Sequence, residues 1–211
     1  MMLCTLANLK TYLGITVATQ DDLLTMLIKQ ASAQIENYVG YSLARSENTE
    51  VQNVNNNQLL ILDKQPIQSV SLVKIGNEEI TDYKILPKYA KTGMLYRGLG
   101  WCGPYYTRGM TYDAVSGVYD IEVQYISGYY LPSDEGYVEG ASDSLPYDIV
   151  SACILACAEA YNTKMNRAEG IKSYSEGGIS TTFQDTTTKM DCGLSAKVCS
   201  MLEDYKRQVV A

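Results

Sequence analysis

The amino-acid sequence predicts an α+β protein: a small helical bundle formed by N- and C-terminal helices, with a β-rich insertion in the middle. Apolar residues recur at helical spacing near both ends of the chain, while from about Arg45 to Tyr130 short β-rich runs alternate with turn residues. Neither terminal group of helices can bury its apolar stripe alone, so the two groups must pack together. The expected organisation is a discontinuous helical core, 1–44 and 141–211, interrupted by an insertion at 45–140.

The first helix is short. Thr5 can cap it, Leu6, Leu9 and Leu13 share a face, and Gly14 can end it. In the second, "TQDD" sets Thr19 and Asp22 at capping-box spacing, and both acids suit the positive helix start. Leu24, Ile28, Ala31, Ile35 and Tyr38 then form a stripe, widened by Leu23, Leu27 and Val39 and stopped by Gly40.

Five β-rich runs follow: "QLLILD", "PIQSVSLVKI", "EITDYKIL", "GMLYR" and "VYDIEVQYIS". Gly76-Asn77 is a tight hairpin signal, and Pro66 opens a strand, where its missing N–H matters least. Gly98 to Gly117 lies in a long Gly/Tyr-rich loop, of a length that usually marks function or mobility. A second polar loop leads to Pro146, placed as a first-turn proline, and to a helix carrying Ile149, Cys153, Ala156 and Ala160. The last helix begins near Leu194, with Val198, Leu202 and Tyr205 continuing its stripe and Lys206 and Arg207 at its positively favoured end.

Between these two helices, "IKSYSEGGISTTF" (Ile171 to Phe183) predicts two short strands about a Gly177-Gly178 turn. Ser173, Ser175, Thr181 and Thr182 suit a solvent-facing strand, whereas Ile171, Ile179 and Phe183 offer a thin apolar face. A hairpin this short needs a third strand or a packed face. A strand of another chain can supply it, as can the protein's own helices.

Composition narrows the chemistry. Of 211 residues, 46% are hydrophobic and 19% charged, a globular balance. The net charge of −7 argues against a general affinity for nucleic acid. No apolar run reaches the roughly 18 residues of a membrane span, and "MMLCTLANLKTYLG" lacks the marks of a secretory signal. The absence of histidine rules out Ser-His-Asp and Cys-His catalysis and histidine-ligated metals. Asp21-Asp22 and Glu78-Glu79 read as capping and turn acids, and "GLGWCG" does not fit a phosphate-binding loop. Cys4, Cys102, Cys153, Cys157, Cys192 and Cys199 read as reduced thiols; C-x2-C spacing is missing, so no metal or other cofactor is expected. Tyrosine, at 18 against one Phe and one Trp, suits surfaces half buried against another protein, and equally the rims of sheets.

The ordered set "LANLKTYLGI", "DDLLTMLIKQASAQIENYVG", "PIQSVSLVKI", "DIEVQYISGYYLP", "LPYDIVSACILACAEAYN", "SYSEGGISTTF" and "GLSAKVCSMLEDYKR" resembles the head–tail connector (adaptor) proteins of tailed bacteriophages. Each piece is weak alone, whereas their order over nearly the whole chain is specific. The long Gly/Tyr loop departs from the smaller members, and no family role carries onto it. The resemblance implies a structural virion protein and no enzyme: a homo-oligomeric, dodecameric ring in the neck, docked under the portal protein after a cytoplasmic assembly stage. Such a ring extends the DNA channel without sequence-specific binding and offers a platform to a stopper or tail-completion protein.

On that basis the expected protein interface comprises Ser175, Gly177, Gly178, Ile179, Thr181 and Phe183 of the hairpin. It also includes Tyr205, Lys206 and Arg207, in a terminal stretch expected to leave the bundle. Asp134, Glu135, Glu139 and Asp143 are channel-lining candidates, with an ordinary solvated loop as the alternative. Two competing classes are a histidine-free enzyme relying on carboxylates and a β module binding carbohydrate or another ligand through Trp101 and Tyr105-Tyr106.

Overall fold

Helix α1 (Leu6–Leu13) starts where Thr5 Oγ1 accepts the Asn8 N–H and ends at Gly14, whose left-handed φ of 68° only glycine adopts freely. A computed structural model describes residues 1–53, 57–76, 78–101, 120–165, 173–176, 179–182 and 193–207. Helix α2 (Asp21–Val39) is entered through Gln20 without a side-chain cap, so the Thr19–Asp22 capping box does not form. Asp21 instead pairs with Lys10 at 2.7 Å, placing a carboxylate at the positive helix end. Gly40 closes α2 with a φ of 87°.

The described chain forms two compact units. One comprises residues 1–40 and 130–207, the other residues 41–129. In the first, α2 packs on α4 (Tyr147–Met165), α4 packs on α5 (Ala196–Leu202), and α1 contacts both α2 and α4. Pro146 stands one residue before α4, and its carbonyl accepts the Ile149 and Val150 N–H groups. Leu24, Ile28, Ile35, Ile149, Cys153, Val198 and Leu202 are fully buried, whereas Ala156 is only half-buried. Leu194 is buried ahead of α5, which Ser195 caps through the Val198 N–H. A 3₁₀ turn, Glu203–Tyr205, follows α5.

The second unit contains an antiparallel sheet in the order β1 (Ser46–Asn53), β7 (Asp120–Ser127), β3 (Ile67–Ile75), β4 (Glu78–Glu79). A three-stranded sheet has the order β2 (Leu59–Ile61), β6 (Met94–Arg97), β5 (Tyr83–Lys84), with the short α3 (Pro87–Ala90) before β6. Leu60, Leu62, Ile67, Val73, Ile75, Leu95, Ile121, Val123 and Tyr125 build its core around Trp101. Gly128 ends β7 with a φ of 83°; a Cβ there would lie 2.3 Å from the Ala44 carbonyl oxygen, so no other residue fits.

Candidate functional site

Strands β8 (Ser173–Glu176) and β9 (Ile179–Thr182) pair antiparallel, with Ser173 opposite Thr182, Ser175 opposite Ser180 and Glu176 opposite Ile179. This register brings Ser175, Ile179 and Thr181 into one hairpin. Gly177, Gly178 and Phe183 lie outside the described residues. The pair forms a two-stranded sheet, and neither strand has a third strand beside it among the described residues.

The expectation that the stretch from Tyr205 to Ala211 leaves the bundle is corrected for Tyr205, Lys206 and Arg207, while residues 208–211 lie outside the described residues. The Arg207 N–H donates to the Val39 carbonyl at 2.8 Å, satisfying one of the free carbonyls at the end of α2. Lys206 Nζ lies 5.0 Å from the centre of the Tyr38 ring, and Tyr38 Oη donates to Glu203 at 2.6 Å. Tyr205 Oη donates to Asp148 Oδ2 at 3.4 Å. Burial, then the Asp148 carboxylate, pushes the Tyr205 phenol upward. Lys206 and Arg207 keep exposed surface, so the three side chains form a patch on the helical unit itself.

The four acids share a loop tied at several points. Asp134 Oδ2 accepts the Leu131 N–H at 2.8 Å, the Tyr130 N–H donates to the Asp143 carbonyl at 2.9 Å, and the buried Ser144 Oγ accepts the Val138 N–H at 3.0 Å. Glu135 and Glu139 are exposed, Asp134 is exposed while serving the turn, and Asp143 is half-buried. Tyr137, between them in sequence, is pushed upward by burial and then by Glu139.

Trp101 is not part of an aromatic platform. It is fully buried, donates through its indole N–H to the Gln58 carbonyl at 3.2 Å, and faces Tyr83 with ring centres 6.4 Å apart. A core residue cannot receive a sugar, which removes the anchor of the ligand-binding alternative; Tyr105 and Tyr106 lie outside the described residues. Sequence reasoning also missed β1, the edge strand "SENTEVQN", whose Glu50 Oε2 accepts hydrogen bonds from Tyr125 Oη and the Asp63 N–H. No helix among the described residues is long and apolar enough to cross a membrane.

Comparison with known proteins gives a concordant picture. No curated protein matches the chain in sequence. Among solved structures, a chain described as "Neck of empty GTA particle computed with C6 symmetry" is similar with a TM-score of 0.54 and 14% identity, covering 99% of this chain and 92% of that one. A chain from "Virion of native gene transfer agent (GTA) particle" is similar with a TM-score of 0.54 at 15% identity and the same coverages. At such identities the likeness is one of fold. The sequence itself matches the head completion protein family over residues 2–208, nearly its full length, and the chain belongs to that family of structural virion proteins.

Proposed function

We propose that the chain is a neck subunit of a tailed virion or virus-like particle. It forms a ring under the portal, extends the DNA channel and presents a docking platform to a stopper or tail-completion protein. The family match over residues 2–208 carries this reading. The fold shared with a chain from the neck of a gene transfer agent particle supports the location. Within the chain, the two-stranded β8–β9 sheet supports an intermolecular role, because a pair of short strands gains stability from a third. Closed rings require one contact repeated head to tail, and strand addition can provide it. Tyr205, Lys206 and Arg207 form the second proposed contact, and the loop with Asp134, Glu135, Glu139 and Asp143 is proposed to face the channel.

The test is reconstitution with the portal ring of the particle that encodes this chain. Mixed components are separated by size exclusion with mass measurement and imaged by electron microscopy. A ring of this chain on one end of the portal is the expected result. Failure to bind portal while binding an isolated tail component would place the protein elsewhere and end the proposal.

A further inference from the structure

Three thiols converge inside the helical unit, and nothing in a neck role requires them to do so. Cys153 and Cys157 are four residues apart on α4, a spacing that puts both on one helix face. Cys4, in the segment that enters α1, closes the group from the opposite end of the sequence. The Cys4 and Cys153 sulfurs are 3.6 Å apart, and all three sulfurs lie within 4.8 Å of one another. Cys153 and Cys157 are completely buried and Cys4 is 1% exposed. Ser32 Oγ stands 3.8 Å from Cys153 Sγ and accepts the Leu3 N–H at 3.0 Å, which fixes the hydroxyl beside the sulfurs.

We infer that Cys4, Cys153 and Cys157 form a binding site for a soft divalent d¹⁰ metal ion of the zinc class, with Ser32 as the neighbouring oxygen. The sulfur spacing fits: metal–sulfur bonds of about 2.3 Å put the sulfurs of a three-thiolate set roughly 4 Å apart. Thiolate sets favour zinc-class ions over hard cations. The number of thiols also matters, since a disulfide would use two and strand the third in the core. On binding, each thiol that ligates gives up its proton, so M²⁺ and three S–H groups yield M(S)₃ and three protons. A divalent ion leaves the buried set with one net negative charge, less than a monovalent ion would leave. The ion would tie the N-terminal segment to α4, linking residues far apart in sequence.

The probe is Cd²⁺, titrated into the reduced full-length chain. The expected result is one ion per chain, a thiolate-to-metal charge-transfer band, release of three protons, and a cadmium NMR shift reporting three sulfurs. The band should survive the Cys102→Ser/Cys192→Ser double variant, whereas Cys153→Ser should lower the number of bound sulfurs from three to two. Should Cys153→Ser fail to fold, Cys157→Ala replaces it, with a drop from three bound sulfurs to two as the expected outcome. No band at equimolar ion, a sulfur count of two or four in the unmodified chain, or loss of the band in Cys102→Ser/Cys192→Ser would each overturn the site.

Discussion

Ile28 shows how far a single side chain could be judged from spacing alone. Its place in the α2 stripe marks it as inward-facing, and it is fully buried. Ile28→Ala is therefore expected to destabilise the protein by about 2–5 kcal/mol, read as a lower denaturant midpoint with little change in slope. Trp101 misled for a physical reason. A tryptophan in a glycine- and tyrosine-rich stretch looks like a ligand platform, and only the fold reveals that the Gln58 carbonyl accepts its indole N–H in the interior. Tyr125 was equally opaque, because its hydroxyl meets Glu50, a residue on a strand the pattern did not disclose. Burial and the hydrogen bond to Glu50 raise its pKa in the fold above the unfolded value of about 10. The folded protein therefore holds the phenolic proton more tightly than the unfolded chain. Stability from this group is fully present below about pH 10 and falls as the pH rises beyond it. Tyr125→Phe should flatten that alkaline decline in a pH series of thermal melts, and an unchanged slope would show that the raised pKa has another carrier.

Elements were legible where periodicity and capping agreed. The glycine stops of α1 and α2 stand where the residues placed them, each with φ in the left-handed region. The start of α2 did not follow its capping-box pattern, because Gln20 and not Thr19 occupies the cap position, which takes Thr19 and Asp22 out of the box register. Strand β1 escaped notice because "SENTEVQN" is polar and carries little β propensity; its register comes from β7, with Val51 opposite Glu122 and Asn53 opposite Asp120. The thiol cluster was half visible. Cys153 and Cys157 lie on one helical face by spacing, but Cys4 joins them only through packing across 149 positions. The β8–β9 hairpin was readable from Gly177-Gly178 between short runs, while its environment was not. If an edge of this hairpin serves assembly, replacing residues 171–183 with a short Gly/Ser linker should leave the helical unit folded by circular dichroism and abolish ring formation on the portal. Rings that still form would assign the contact to another surface. Truncation after Asp204 is a poorer test of the terminal patch, since it also removes the Arg207 N–H from the end of α2. The double variant Lys206→Ala/Arg207→Ala keeps that backbone bond and isolates the side chains.

Over the whole molecule, the order of short motifs was more informative than any motif alone, since it pointed to the family that the match over residues 2–208 establishes. Charge is the remaining whole-molecule property, and it makes a prediction about DNA passage. A ring around moving DNA works best if it does not hold phosphates, and a wall of Lys and Arg would hold them through counterion release. In the proposed ring, a net charge of −7 per subunit, repeated around the axis, would provide repulsion instead, over a range of about 8 Å at physiological salt. Glu135 and Glu139 are the residues to alter, because both are exposed whereas Asp134 also accepts the Leu131 N–H and Asp143 is half-buried. Each Glu→Lys reversal adds two charges, so Glu135→Lys/Glu139→Lys takes the subunit from −7 to −3. If this loop faces the channel, particles carrying the double variant should assemble normally yet release DNA more slowly at low salt. The defect should fade as salt is raised, because each phosphate contact weakens with counterion concentration. Glu78→Lys/Glu79→Lys makes the same change in net charge at an exposed β4 position and serves as the control. A slowdown shared by both variants would trace the effect to overall charge. No salt-dependent slowdown in Glu135→Lys/Glu139→Lys would place the acidic loop outside the channel.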